Sequence, residues 1–347
     1  MPSLFYFCLM KGNFKVVLLV VLLAGAFSCK TGKKKIPDVS NIKVELQTER
    51  FERDFFSVDT LHLDASLQAL NAKHPGFTQD FLFNILGSTP DSAAHDVPEF
   101  IRTYEDMYKS SAVATKDFDQ ITAEVKRGLQ FVHYYFPAYH LPNKLVTFIG
   151  PINSYGNIIT RDALGVGLQL YMGRNYPMYL SEMGQQMYPT FISRRFEPEY
   201  IPVNCMKNII DDMFPNSSMG RPLVEQMVEA GKRIYVLDQL LPELADSLKT
   251  GYTQLQLEGS IASEKNIWSF FVQNDLLFST DPNSIRDYLT DGPNTQALGK
   301  ESPGNIGQFV GTRIVEKWMQ KNKDVSLEIL MRTDPKKIFD ESKYKPG

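Results

Sequence analysis

The sequence predicts a mostly helical α+β domain with a small sheet, and three observations support this fold class. The chain has 347 residues, of which 43% are hydrophobic and 22% charged, so it is long enough to bury a sizeable core. Strand-like patterns are short and lie before residue 172, whereas most later segments repeat at three- and four-residue steps, as amphipathic helices do. No linker after Pro37 is long enough to separate independent domains, so we expect a single domain.

Composition excludes several classes of protein. Lys plus Arg number 37 against 40 for Asp plus Glu, and this balance lacks the strongly basic face of a nucleic-acid-binding module. Three cysteines and five histidines are too few for a disulfide-stapled miniprotein or a zinc ribbon. The 23 Phe and 16 Tyr residues exclude a disordered solvating segment.

The N-terminal segment has the pattern of a bacterial lipoprotein signal peptide. Lys11 and Lys15 precede an apolar run at residues 16–27, and Cys29 follows small residues. The run is shorter than the roughly 20 residues of a membrane-spanning helix. We therefore predict a signal peptide at residues 1–28 and lipidation of Cys29.

The cleavage region leaves an alternative open. The sequence AFSC resembles a lipobox, but Ala26 stands where leucine is usual, so an ordinary cleaved signal with Cys29 incidental is the alternative. Met10 looks a more natural start than Met1. Residues 29–40 form a polar, basic segment that we predict to be a lipidated tether, with a domain at residues 41–347. Its lysines would attract anionic headgroups or simply form a solvated linker, and both interpretations can hold.

Four segments have strand patterns. Ile42, Val44 and Leu46 alternate with polar residues, and a short apolar run at 145–149 ends at a Gly-Pro pair. The predicted strands are residues 42–46, 145–149, 157–160 and 163–171, with a turn at Arg161–Asp162 joining the last two.

Helices are predicted for most of the remaining chain. In the clearest case Phe118, Ile121, Val125 and Leu129 recur at helical steps. Proline in the first turn supports several helix starts. The predicted helices are residues 64–70, 80–86, 97–108, 117–135, 177–187, 202–214, 222–241, 252–274, 284–289 and 302–321.

Three glycines form a stripe in the last predicted helix. Gly304, Gly307 and Gly311 each cost roughly 1 kcal/mol relative to alanine in a helix, so we expect another element to approach closely there. A phosphate loop is the alternative, although no strand precedes it and no Lys-Ser/Thr pair ends it. The opposite stripe should expose polar residues with aromatic residues at its margins: Gln308, Thr312 and Glu316, then Phe309 and Trp318.

Motifs for catalysis or metal binding are absent from the sequence. It has no G-x-S-x-G turn and no H-E-x-x-H helix, and Cys205 has no histidine near it in sequence. Glu225 and Glu229 have i, i+4 spacing, which a solvated helix face explains equally well. We predict no catalytic, cofactor-binding or metal-binding residues.

An ordered set of segments resembles the gliding motility lipoprotein GldB family. The set comprises the lipoprotein signal, FERDFF (51–56), LVEQMVEAGKRIYVLDQLLP (223–242), SPGNIGQFVGTRIVEKWM (302–319) and DPKKIFDESKYKPG (334–347). The likeness covers the chain from Cys29 to its last residue. It implies a cell-envelope protein of the Bacteroidetes that surface gliding requires, linked to type IX secretion.

The resemblance leads to expectations about role and partners. We expect a non-enzymatic component that is bound to the membrane through Cys29, contacts other gliding or secretion envelope proteins, and uses no cofactor. The segment after Cys29 is basic, and an acidic run there is associated with surface export, so a periplasm-facing position is favoured.

The alternative function is an aberrant or inactive zinc-metallopeptidase-like hydrolase. Residues 165–171 would be its edge strand, 202–214 its first helix, and 222–241 a second helix carrying Glu229. The first helix contains no histidine, whereas catalytic zinc needs three protein ligands. Such a hydrolase would have to use Glu225 or Glu229 with histidines from elsewhere; otherwise the scaffold is a degenerate one that has lost its metal.

Overall fold

The strands form one small mixed sheet. The computed structural model describes residues 36–347, and its strands are β1 (Gln47–Arg50), β2 (Lys144–Phe148), β3 (Asn157–Ile159) and β4 (Ala163–Gly167). Their order is β1-β2-β4-β3. The β1-β2 and β2-β4 pairs are parallel and the β3-β4 pair is antiparallel. Strands β2 and β4 are therefore interior and nearly continuously buried, as parallel strands usually are.

Helices make up most of the described chain. They are α1 (Phe51–Phe55), α2 (Leu63–Lys73), α3 (Phe77–Gln79), α4 (Ala93–Ala114), α5 (Phe118–Tyr135), α6 (Pro177–Leu180), α7 (Glu182–Met187), α8 (Thr190–Ser193), α9 (Ile201–Met213), α10 (Leu223–Leu240), α11 (Asp246–Thr250), α12 (Gln254–Ala262), α13 (Glu264–Gln273), α14 (Pro282–Leu289), α15 (Ile306–Lys321), α16 (Leu327–Arg332) and α17 (Pro335–Ser342). A π-helical stretch, Asp80–Ile85, continues α3. Residues Val39–Gly347 form one unit, and its mostly helical α+β architecture confirms the predicted fold class.

Part of the sequence prediction falls on residues that the structure does not describe. The predicted signal peptide, the lipidation site Cys29 and the tether as far as residue 35 lie outside the described residues. These three assignments stay predictions.

The first predicted strand is misplaced. Residues 42–46 are not a strand, and pairing starts only where the Gln47 amide donates to the Asn143 carbonyl at 2.8 Å. Strand β2 begins at Lys144, so the preceding residues have no strand beside them. The Gln130 side chain instead donates to the Ile42 carbonyl at 2.8 Å.

Other strand and helix boundaries also differ from the prediction. The strand predicted to reach residue 171 ends at Gly167, and it is interior, because the edge strands of the sheet are β1 and β3. The helix predicted at 177–187 breaks at Ser181, whose hydroxyl accepts from the Gly184 amide and caps α7. The helix predicted at 252–274 breaks at Ser263 into α12 and α13.

Helices α10 and α15 pack against each other at the centre of the helical part. A Cβ placed on Gly231 of α10 would overlap the main chain of Gly311 in α15, and one on Gly311 would overlap the Met227 carbonyl. Only glycine permits this approach of two helix backbones. The predicted close approach at the glycine stripe is therefore confirmed.

The other two stripe glycines contact different elements. A Cβ on Gly307 would lie 2.7 Å from the carbonyl oxygen of Tyr288, at the end of α14. Gly304 precedes the helix and lies against the main chain of Gly292. The helix begins at Ile306 rather than at the predicted residue 302. The Ser302 hydroxyl does not cap the helix, because it donates to the Gly299 carbonyl at 2.7 Å in the preceding loop.

The predicted exposed stripe of α15 is wrong at its first position. Gln308 is buried because its side-chain amide donates to the Thr250 carbonyl at 2.7 Å, at the end of α11. Thr312 and Glu316 are half-buried rather than exposed. Phe309 and Trp318, expected at the margins, are buried in the core. Helix α15 is thus surrounded on nearly all sides.

Candidate binding cleft

A cleft of about 290 Å³ opens between α9, the chain that follows β4 and the turn at Gly251. One face of α9 lines the cleft. It carries Asn204 and Lys207, together with Tyr200, which directly precedes the helix. These residues are spaced by four and three positions, so they lie on the same side of the helix. The opposite face of α9 is core, where Met206 packs against Gly128 of α5. The sequence therefore places apolar residues on one side of this helix and polar residues on the side that lines the cleft.

A chain of neutral hydrogen bonds crosses the cleft. The Asn204 side-chain amide donates to the Tyr171 hydroxyl at 2.7 Å, and that hydroxyl donates to the Asn157 side-chain oxygen. Tyr171 is buried, and burial raises the pKa of its hydroxyl, so it stays protonated and remains a donor. The chain joins α9 to the edge strand β3.

Two cations line the same cleft but differ in their surroundings. Arg195 is paired with Asp291, with 2.6 Å between guanidinium nitrogen and carboxylate oxygen. Lys207 is half-buried along its length, and burial lowers the pKa of its ammonium to about 8. The charge of Arg195 also lowers that pKa, whereas the charges of Asp291 and Asp211 raise it.

Gly251 shapes the wall beside Arg195. Its φ of +72° lies in the left-handed region that glycine tolerates, and a Cβ there would lie 2.9 Å from an Arg195 guanidinium nitrogen. Its carbonyl accepts a hydrogen bond of 2.6 Å from Arg194. The turn thereby packs against Arg195 at the cleft wall and also accepts a hydrogen bond from its neighbour Arg194.

Cys205 lies next to the cleft but is not activated. The thiol is buried, and burial raises its pKa to about 12. Since the thiolate is the nucleophilic form, this cysteine is unreactive near neutral pH. Its nearest polar contact is the Asn157 amide at 3.9 Å.

The carboxylates considered for a hydrolase lie elsewhere and have partners. Glu229 pairs with Lys232 at 2.6 Å and with Arg233 at 3.3 Å. The Lys232 ammonium also donates to the Met331 carbonyl at 2.9 Å, so the buried pair fastens α10 to the end of α16. Glu225 pairs with Arg221 at 3.3 Å. Their positions fit structural roles.

The histidines do not gather around these carboxylates. Four of the five are exposed, namely His62, His95, His133 and His140. His74 is buried, and its ring nitrogens lie 2.8 Å from Glu49 and 2.7 Å from Asp54. Within residues 36–347, no group of three or more His, Cys, Asp or Glu side chains is placed to hold a metal ion.

Sequence reasoning identified this helix but not its cleft. Residues 202–214 contain no histidine and match no motif for a metal site or a catalytic nucleophile. The usable signal was the spacing of the polar residues Asn204 and Lys207, which share one face of the helix. Arg195, Tyr171 and Gly251 come from distant segments, and no local pattern links them to α9.

The family comparison decides the identity of the chain. The model of the family described as gliding motility protein GldB matches residues 32–346, nearly the whole sequence. The chain belongs to the GldB family. It is accordingly a gliding-motility-related lipoprotein associated with the cell envelope, and the resemblance seen in the sequence is confirmed.

The remaining comparisons add no relative. Searches of curated proteins and of solved structures gave no match. The peptidase-like scaffold therefore stays a prediction. None of the described helices of this GldB-family protein has the length and hydropathy of a membrane span.

Proposed function

We propose that this protein is a lipid-anchored, non-enzymatic component of the cell envelope that gliding motility requires and that is linked to the type IX secretion machinery. The observation that carries the proposal is the family match, which begins at residue 32, three residues after the predicted lipidation site Cys29. One lipidated N-terminal cysteine can carry several acyl chains, which is enough for stable anchoring. The basic tether supports a periplasm-facing position.

The geometry of the described residues supports a binding role over catalysis. Nucleophilic catalysis needs an activated nucleophile beside a base. The Cys205 thiol stays protonated because burial raises its pKa to about 12. The Glu229 carboxylate forms ion pairs with Lys232 and Arg233. The cleft offers hydrogen-bond donors and positive charge, which are binding groups.

Metabolic labelling with an alkyne fatty acid tests the anchor. Wild-type protein should take up the label and fractionate with membranes, and Cys29→Ala should do neither. Cys205→Ala is the matched control, because the Cys205 thiol is buried in the domain and should leave labelling unchanged. Label that persists in Cys29→Ala would exclude lipidation at this residue.

Complementation of a gliding-deficient deletion strain tests the role. Wild-type protein should restore both gliding and secretion of type IX cargo, and Cys29→Ala should restore neither. Glu225→Gln and Glu229→Gln should restore gliding wherever the protein accumulates normally, since neither carboxylate acts in catalysis. Restored gliding with unchanged cargo secretion in the deletion strain would contradict the type IX link.

Elemental analysis of the purified protein separates the hydrolase alternative. The proposal expects no stoichiometric zinc after dialysis. Zinc that resists dialysis and is lost in Glu229→Gln would favour a metallopeptidase-like enzyme. In-cell cross-linking followed by mass spectrometry should then recover neighbouring envelope proteins of the gliding or secretion machinery.

A further inference from the structure

Lys207 brings an uncompensated positive charge into the cleft. Among the described residues no carboxylate pairs with its ammonium, whereas the neighbouring Arg195 is paired with Asp291 at 2.6 Å. Together these three groups leave one net positive charge beside α9. Lys207 is only half-buried and lines the cleft, so its ammonium is open to an anion that enters there.

The rest of the cleft is apolar or neutral. Leu170, Ile192 and Phe196 supply apolar surface, and Asn204 and Tyr171 supply neutral hydrogen-bonding groups. The volume of about 290 Å³ is at the small end of ligand pockets. A matching ligand is therefore small, has one negative charge and carries a short apolar group.

We propose that this cleft binds a small monocarboxylate, whose carboxylate pairs with the Lys207 ammonium while its apolar group packs on Leu170 and Phe196. One available ammonium matches one carboxylate charge. A phosphate dianion fits less well, because the guanidinium of Arg195 is already held by Asp291. The inference is independent of the anchoring and motility roles proposed above.

The protonation state of Lys207 gives the site a pH dependence. Burial lowers the pKa of this amine to about 8, so it is mostly charged at neutral pH. The charged groups that act on it are Arg195, Asp291 and Asp211. Binding of a carboxylate favours the charged amine, and affinity should fall as the pH rises through about 8 and beyond.

Titration of the purified full-length chain with sodium isovalerate tests the proposal. Calorimetry or ligand-observed NMR should show saturable binding to wild type, at least tenfold weaker in Lys207→Met and in Lys207→Gln. Lys323→Met is the matched control, because Lys323 is exposed, and it should bind as wild type does. Isovaleramide, the neutral analogue of isovalerate, should bind wild type at least tenfold more weakly.

Other outcomes would overturn the proposal. Equal isovalerate affinity in wild type and both Lys207 variants would place binding elsewhere. Sodium phosphate that binds more tightly than isovalerate would show that the ligand class is wrong. No saturable binding below about 100 mM isovalerate would remove the site. A melting curve for each variant confirms that folded proteins are compared.

Discussion

Replacing Gly311 by alanine tests the close packing of α10 and α15. The new methyl group would overlap the Met227 carbonyl, and the facing Gly231 has no side chain that could move aside. The obstacle is helix backbone rather than a flexible side chain, so the two helices must separate. This separation would open gaps in the core that α10 and α15 share.

The size of the effect follows from two opposing contributions. Alanine stabilises a helix by about 1 kcal/mol relative to glycine. Overpacking of a close-packed core costs about 1–3 kcal/mol, and rigid backbone on both sides places Gly311 at the upper end of that range. The net loss should be about 2 kcal/mol, which lowers the melting temperature of a domain of this size by roughly 3 °C.

Gly259→Ala is the matched control for this measurement. Gly259 lies in helix α12, and no atom would lie within 4 Å of an added Cβ. The same substitution should there raise stability by up to about 1 kcal/mol. Thermal unfolding of the two variants should therefore shift in opposite directions.

Gliding assays of the same variants connect stability to function. Gly311→Ala should lose motility in proportion to the folded protein that remains, and Gly259→Ala should retain it. A Gly311→Ala protein that melts at or above the wild-type temperature would refute the packing argument. Lost gliding at an unchanged melting temperature would instead identify this region as a partner-binding surface.

Three further predictions concern the side chains of Lys207, Gln308 and Glu49. Lys207→Met should stabilise the protein at pH 7 by on the order of 1–3 kcal/mol, because the folded state lowers the amine pKa from 10.5 to about 8 and charging it is unfavourable below that pH. This gain should shrink as the pH rises from about 8 towards 10.5, where the wild-type amine becomes neutral, and melting curves across this range measure it. Gln308→Leu should cost about 1–2 kcal/mol in denaturant unfolding, because the Thr250 carbonyl loses its buried donor. For Glu49, burial opposes ionisation, but side-chain hydrogen bonds with Lys144 and His74 outweigh it and lower the carboxyl pKa below 4.5. Its stabilising contribution is therefore present above pH 4.5 and is lost as the pH falls further, which hydrogen exchange of β1 at decreasing pH should detect.

The general fold was predictable because local patterns agree with tertiary contacts. The spacing of apolar residues in α5, α9 and α10 matches their buried faces, since each packs one side on the core. The strand predicted at residues 42–46 was wrong, because an alternating pattern indicates which side chains are buried and does not show whether another strand lies alongside. Breaks at Ser181 and Ser263 depend on single cap residues, which a long periodic pattern hides.

Burial of α15 was less predictable for a different reason. Its sequence is polar enough to suggest a solvated stripe, yet Gln308 is enclosed because its amide completes the end of α11. A polar residue can satisfy a distant carbonyl only if the tertiary fold brings the two together. The position of α11 was not part of the prediction, so neither was this contact. The cleft was unpredictable on the same grounds, because Arg195 and Tyr171 meet α9 only in three dimensions.

The two faces of α9 show which residues the fold requires and which it does not. On the core face, Met206 lies so close to α5 that a Cβ on Gly128 would be 2.7 Å from its sulfur. On the cleft face, the half-buried Lys207 has no carboxylate partner among the described residues, and burial lowers the pKa of its ammonium to about 8. Packing explains the first face. On the second face Asn204 donates a hydrogen bond to Tyr171, whereas Lys207 has no such structural contact in the part of the chain that the structure describes. A cation without a structural partner at the wall of a cleft is the group that an anionic ligand would pair with, so experiments on the function of this domain should begin at the cleft.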